Sequence, residues 1–128
     1  MLVVARNHPL AKRSKISFAD VLDHDFVGLD RASALQRFLA DKATRIGQPL
    51  RLRVQLRSFD AVCRLVECGV GIGIVPETTA RRVERTMAIV PVPLTDPWAV
   101  RELTICCRGI GDLPPFARQL VEHLRSSD

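Results

Sequence analysis

Short apolar runs bounded by turn residues alternate along this chain with stretches of three-and-four apolar periodicity, and that alternation limits the fold more than any other feature. Leu2–Ala5 reads as a strand ending at Asn7-His8-Pro9, and Phe18–Leu22 as a short helix capped by Ser17. Phe26–Leu29 is a strand ending at Asp30. From Ala32, the recurrence of Leu35, Leu39, Ala43 and Ile46 predicts one helix face, stopped by Gly47 and Pro49. Leu50, Leu52, Val54 and Leu56 then alternate with Arg51, Arg53, Gln55 and Arg57, a period of two with one packed and one arginine-rich face. A helix capped by Ser58 and closed by Gly69 follows. After it come a strand at 72–75, a short helix at 77–85, strands at 88–94 and 103–107, and a final amphipathic helix behind Pro114-Pro115. Strands alternating with helices define an α/β fold with a mixed, mainly parallel sheet flanked by helices.

Length and composition set the scale. At 128 residues and 47% hydrophobic, the chain suits one domain with its own core. No run of apolar residues is long enough to span a membrane, and the N-terminus has no signal-peptide pattern, so a cytoplasmic location and no membrane partner are expected. The net charge of +5 favours anionic partners. Its basic residues are scattered without aromatic interleaving, so no direct DNA contact is expected from this chain.

Most constellations that suggest chemistry dissolve on inspection. Cys63, Cys68, Cys106 and Cys107 form no Cys-x-x-Cys pair, and the histidines at 8, 24 and 123 lie off any ligand spacing. Neither a metal site nor a cofactor is expected, and the cysteines read as free thiols. Cys63 and Cys68 should diverge around their helix. The run Gly69-Val70-Gly71-Ile72-Gly73 lies between a helix and a following strand, the reverse of a phosphate-cradling loop. Gly69 therefore reads as a helix cap, and Gly71 and Gly73 as points of close backbone approach. Asp20, Asp23 and Asp25 cluster without an apolar pocket to tune them, and Ser33, Ser58 and His24 form no nucleophile elbow. No catalytic residue is assigned, and an enzyme is not expected.

The strand-to-helix junctions are more promising. In open α/β sheets, ligands lie beyond the carboxyl ends of the strands, where helix amino ends offer unpaired N–H groups. Asp30-Arg31-Ala32-Ser33 and Arg57-Ser58-Phe59-Asp60 are two such junctions, and Ser33 with Gln36 has capping-box form. Caps and anion sites use the same donors, so both readings of Ser33 and Ser58 stand. The arginine face likewise fits either anion binding or an edge guarded against aggregation.

His8-Pro9-Leu10-Ala11 after an apolar strand, Phe26-Val27-Gly28-Leu29-Asp30 leading to Ser33, and the run Leu65 to Pro76 together resemble the LysR-type transcriptional regulators. The resemblance covers the whole chain, including the closing Pro-Pro-Phe-Ala-Arg helix. It points to the second half of the family's effector- or substrate-binding domain. It implies one lobe of a type 2 periplasmic-binding-protein-like fold, with hinge strands at about 2–6 and 103–108 and a C-terminal helix at about 115–126. By position in the family, Asp30, Arg31, Ala32, Ser33, Ser58 and Phe59 would face a small effector, with Ser33 foremost. The sequence of 128 residues carries no winged helix-turn-helix, linker helix or first lobe, so a fragment or a shortened product is expected. Residues 32–41 lack the paired cysteines of the family's peroxide sensors, which disfavours redox sensing.

The resemblance implies a ligand-sensing piece of a regulator that takes a small carboxylate or other anion and forms a dimer, the final helix packing on a second copy. Two alternatives stand beside it. One is a free-standing dimerisation module that pairs with intact regulators. The other is a solute-binding protein, against which the absent export signal argues.

Overall fold

The computed structural model describes residues 1–99 together with Gln119 and His123. The segment 103–107 and its two cysteines lie outside the described residues. So does the predicted C-terminal helix, apart from Gln119 and His123, both helical and exposed.

Five strands form among the described residues: β1 (Leu2–Ala5), β2 (Phe26–Leu29), β3 (Leu52–Leu56), β4 (Gly73–Ile74) and β5 (Ile89–Val92). They alternate with four helices: α1 (Phe18–Val21), α2 (Ala34–Ile46), α3 (Phe59–Glu67) and α4 (Glu77–Val83). β2 and β3 pair in parallel, Leu29 opposite Leu56, while β1 pairs antiparallel with both β4 and β5. A parallel bridge between Phe26 and Ile72 joins the two sets. The sheet thus runs β3-β2-β4-β1-β5, with four strands pointing one way and β1 alone opposing them. The mainly parallel expectation holds for direction. Because the odd strand lies inside the sheet, however, two of the three ladders are antiparallel. Local alternation orients β2 and β3 through the α2 crossover, but the partners of β1 return from far along the chain.

All four residues of β1 are buried, as befits a strand covered on both faces. Leu2 and Val4 join Phe18, Phe26, Leu39, Ile72 and Val92 on one face. Val3 joins Val27, Val62, Cys63, Val66 and Ile89 on the other. Helices α1 and α2 therefore cover one side and α3 and α4 the opposite side. Phe18 and Phe38 meet the edge of Trp98 with centroids at 5.2 and 5.4 Å, and Phe18 N–H donates to Asp96 Oδ2 at 2.8 Å. These contacts bring residues 96–98 back onto the core.

The glycine run behaves as its order implies. Gly69 follows the α3 C-cap in the left-handed region at φ 81°, where side chains are strained. A Cβ on Gly71 would stand 2.6 Å from the Asp25 carbonyl, which itself accepts from Ile72 N–H at 2.9 Å. Cys63 is buried and Cys68 exposed, so the two thiols do diverge around α3. No helix among the described residues is long and apolar enough to cross a membrane.

Candidate functional site

Helices α2 and α3 begin at the same edge of the sheet, on opposite faces, because the strands that feed them are neighbours. The Asp30 N–H donates to the Leu56 carbonyl at 3.0 Å, extending the β2–β3 ladder one step past the strands. Both chains then turn into helices at the same edge of the sheet. Ser33 Oγ accepts from Gln36 N–H at 3.4 Å, and Ser58 Oγ accepts from Ala61 N–H at 3.2 Å, so both serines are N-caps as expected. Asp30 Oδ1 accepts from Ala32 N–H at 3.0 Å, and Ser33 N–H donates to the Asp30 carbonyl at 3.1 Å. The Asp30–Ser33 turn is thereby self-satisfied. Arg31, Ala32 and Ser58 are exposed, and Asp30, Ser33 and Phe59 are half-buried.

The donors left for a ligand are those just inside the caps. An α-helix leaves its first N–H groups without intrahelical partners, here those of Ala34 and Leu35 in α2 and of Phe59 and Asp60 in α3. Phe59 and Asp60 belong to the junction expected from the sequence, whereas Ala34 and Leu35 lie one step beyond it and follow from Ser33 as an N-cap.

The capping box is only half formed. Gln36 does not reach back to Ser33. Its Oε1 accepts instead from Leu29 N–H at 3.1 Å, and the side chain is buried. Strand β4 has left β2 by this point to pair with β1, so Leu29 N–H has no strand partner and Gln36 supplies one.

Charge around the junction is nearly balanced. Arg82 of α4 pairs with Asp60 at 2.7 Å, and its hydrogen bond holds the Asp60 carboxyl below the usual range. The arginine face divides. Arg51 reaches Asp25 at 3.3 Å and the Asp23 carbonyl at 2.6 Å, and Arg53 reaches Asp25 at 3.8 Å. Asp25 precedes β2, so these two arginines serve the opposite end of the sheet. Arg57, next to Ser58, remains at the junction.

Two hollows lie among the described residues. An apolar groove of about 540 Å³ opens beside α2, where β4 and β5 end, lined by Leu35, Phe38, Ile74, Pro76, Thr78 and Trp98. A smaller polar pocket of about 200 Å³ lies at the other end, lined by His8, His24, Asp25, Arg53 and Gly71. There His8 Nδ1 accepts from Leu10 N–H at 3.0 Å, and the His8 and His24 rings lie 5.5 Å apart. No group of three or more His, Cys, Asp or Glu able to hold a metal exists among the described residues.

A mixed sheet covered on both faces, with two helix amino ends converging at one edge, is the architecture of a periplasmic-binding-protein-like ligand lobe. Solved structures similar to it include effector-binding domains of LysR-type regulators. The effector binding domain of QuiR in complex with shikimate matches with a TM-score of 0.67 at 24% identity, over 75% of this chain and 44% of that one. The BenM effector binding domain with its effector benzoate matches with a TM-score of 0.66 at 25% identity, over 77% and 46%. An uncharacterized HTH-type transcriptional regulator of Methanocaldococcus jannaschii is 33% identical over 107 residues, 80% of this chain and 36% of that protein. The LysR substrate binding domain family matches residues 1–128, and the chain belongs to that family. It spans 36% to 42% of the length of the curated relatives it matches.

Proposed function

We propose that this chain is the second lobe of an effector-sensing domain, and that it binds a small anionic metabolite at the paired amino ends of α2 and α3. The observation that carries the reading is the Asp30–Leu56 hydrogen bond, which brings both strand-to-helix junctions to one sheet edge. Helix amino ends favour anions through their unpaired N–H groups and positive dipole ends. Asp30, Arg31, Ala32, Ser33, Ser58 and Phe59 frame this site, and the apolar groove beside Leu35 suits the hydrocarbon part of a metabolite. The similar QuiR domain is solved in complex with shikimate and the BenM domain with benzoate, both carboxylates, which supports an anionic ligand. In the longer regulator, ligand binding would bias lobe closure and so modulate transcription.

The reading includes assembly with a second copy. Among the described residues β3 pairs on one side only, and Ile46 at the end of α2 is 47% exposed, a combination that favours covering by another chain.

The test is a thermal-shift screen of small carboxylates, sugar acids and phosphorylated acids, each paired with its neutral alcohol. A ligand at a hundred times its Kd stabilises by about 2.7 kcal/mol, so an anion-selective rise in melting temperature is expected. A flat response across the acids would remove the reading.

A further inference from the structure

Strands β2 and β4 part company after Ile72, which leaves a gap at the end of β2. Val27 N–H still donates to the Ile72 carbonyl, but Leu29 N–H turns to the side chain of Gln36. Gln36 sits in the first turn of α2, and its side chain crosses back to the strand. Gly28 permits this, since a Cβ there would overlap Gln36 Oε1. The amide is thus gripped at its oxygen, which fixes which end is which. Oε1 is committed to Leu29 N–H, and Nε2 cannot exchange places with it without setting donor against donor.

Nε2 has no partner, and it is the one buried side-chain polar atom among the described residues in that state. Gln36 is only 6% exposed. Native proteins rarely leave a buried NH2 unsatisfied, and an absent water, ion or ligand is a usual reason when they do. This donor lies in the same helical turn as the unpaired N–H groups of Ala34 and Leu35.

We propose that Gln36 is a specificity-determining contact whose side-chain NH2 donates to a carboxylate oxygen of the effector seated on the amino end of α2. The inference rests on the site reading above. Because Leu29 fixes the amide, the chain presents only a donor here, so an ammonium at this point is rejected, and a carboxylate oxygen is favoured over a hydroxyl because a charged acceptor makes the stronger hydrogen bond. The NH2 is buried in the unliganded chain, so a carboxylate reaches it only when neighbouring atoms move, and binding is coupled to that movement.

The experiment is nitrogen-15 NMR of the 128-residue chain titrated with benzoate and with shikimate, benzyl alcohol serving as neutral control. The Gln36 side-chain NH2 pair is assigned by its loss in Gln36→Glu, which keeps an oxygen for Leu29 N–H but removes the donor and adds charge. Expected are saturable shifts of the Gln36 NH2 pair together with the Ala32, Ala34 and Leu35 amides, and about a tenfold or greater loss of affinity in Gln36→Glu. A second variant, Gln36→Met, removes the donor without adding charge and should show the same direction of change. Shifts at Ala34, Leu35 and Phe59 with a static Gln36 NH2 would overturn this inference and leave the site reading standing. Absence of shifts at either junction would overturn both.

Discussion

The main-chain N–H of Asp30 and the carbonyl of Leu56 meet at 3.0 Å, one step beyond the strands that carry them. That bond converts two separate strand-to-helix junctions into one edge with two helix starts. Either junction alone is an ordinary cap. Together they bring the first-turn donors of α2 and α3 to the same edge of the sheet, where the proposed anion site lies.

Ser33 serves both structure and the proposed site, so its replacement should register twice. Ser33→Ala removes the hydroxyl that accepts from Gln36 N–H and should destabilise the fold by about 1 kcal/mol, read by urea denaturation. Ser33→Asn retains a capping oxygen and should restore most of that loss. An alanine variant as stable as the parent would mean that the 3.4 Å contact does not cap α2.

Gly71 should resist the smallest substitution. Its missing Cβ leaves room for the Asp25 carbonyl, 2.6 Å from where that atom would stand. Gly71→Ala must push apart the Ile72–Asp25 contact that joins β4 to β2, at a cost of about 1–3 kcal/mol. Equilibrium unfolding measures it, and a change within error would show that the two segments can separate freely.

The His8–His24 pair gives stability a pH dependence of known sign. Burial, and then the neighbouring His24, hold His8 below its ordinary value of 6.5. The unfolded chain therefore takes up the proton more readily than the folded one. The contribution of neutral His8 is complete above pH 6.5 and is lost as pH falls through the lower folded value. Denaturant midpoints should drop between pH 7.5 and pH 5.5. His8→Asn, which keeps an acceptor for Leu10 N–H without titrating near neutrality, should flatten part of that slope. An unchanged slope would relocate the effect to other groups.

The thiols on α3 should react in order. Burial pushes the Cys63 thiol up to about 11, whereas Cys68 is exposed. Peptide-level mass spectrometry after brief iodoacetamide treatment should find Cys68 modified and Cys63 protected until the chain unfolds. Equal labelling of both in the native chain would contradict the packing of α3 against β1.

Much of this architecture is written in local patterns. Period-two alternation marks Leu52–Leu56, three-and-four spacing marks α2, and serine caps mark both helix starts, because each depends on neighbours a few residues away. The contacts that sequence does not announce are the distant ones. The apolar run Leu2–Ala5 marks a buried strand but not its antiparallel place between β4 and β5. Arg51 and Arg53 share an exposed face with Arg57, yet only the structure brings Asp25 to neutralise the first two. Gln36 reads as half of a capping box, and it leaves that role because β4 has departed from β2, an event decided by residues 36 positions downstream at Ile72.

The measurement that tests the central claim most directly is a crystal structure of the chain soaked or grown with a carboxylate that raises its melting temperature. The carboxylate is expected within hydrogen-bonding distance of the Ala34, Leu35 and Phe59 N–H groups, with the ligand body toward Leu35 and the apolar groove. A carboxylate seated instead among His8, His24 and Arg53, at the far end of the sheet, would contradict it.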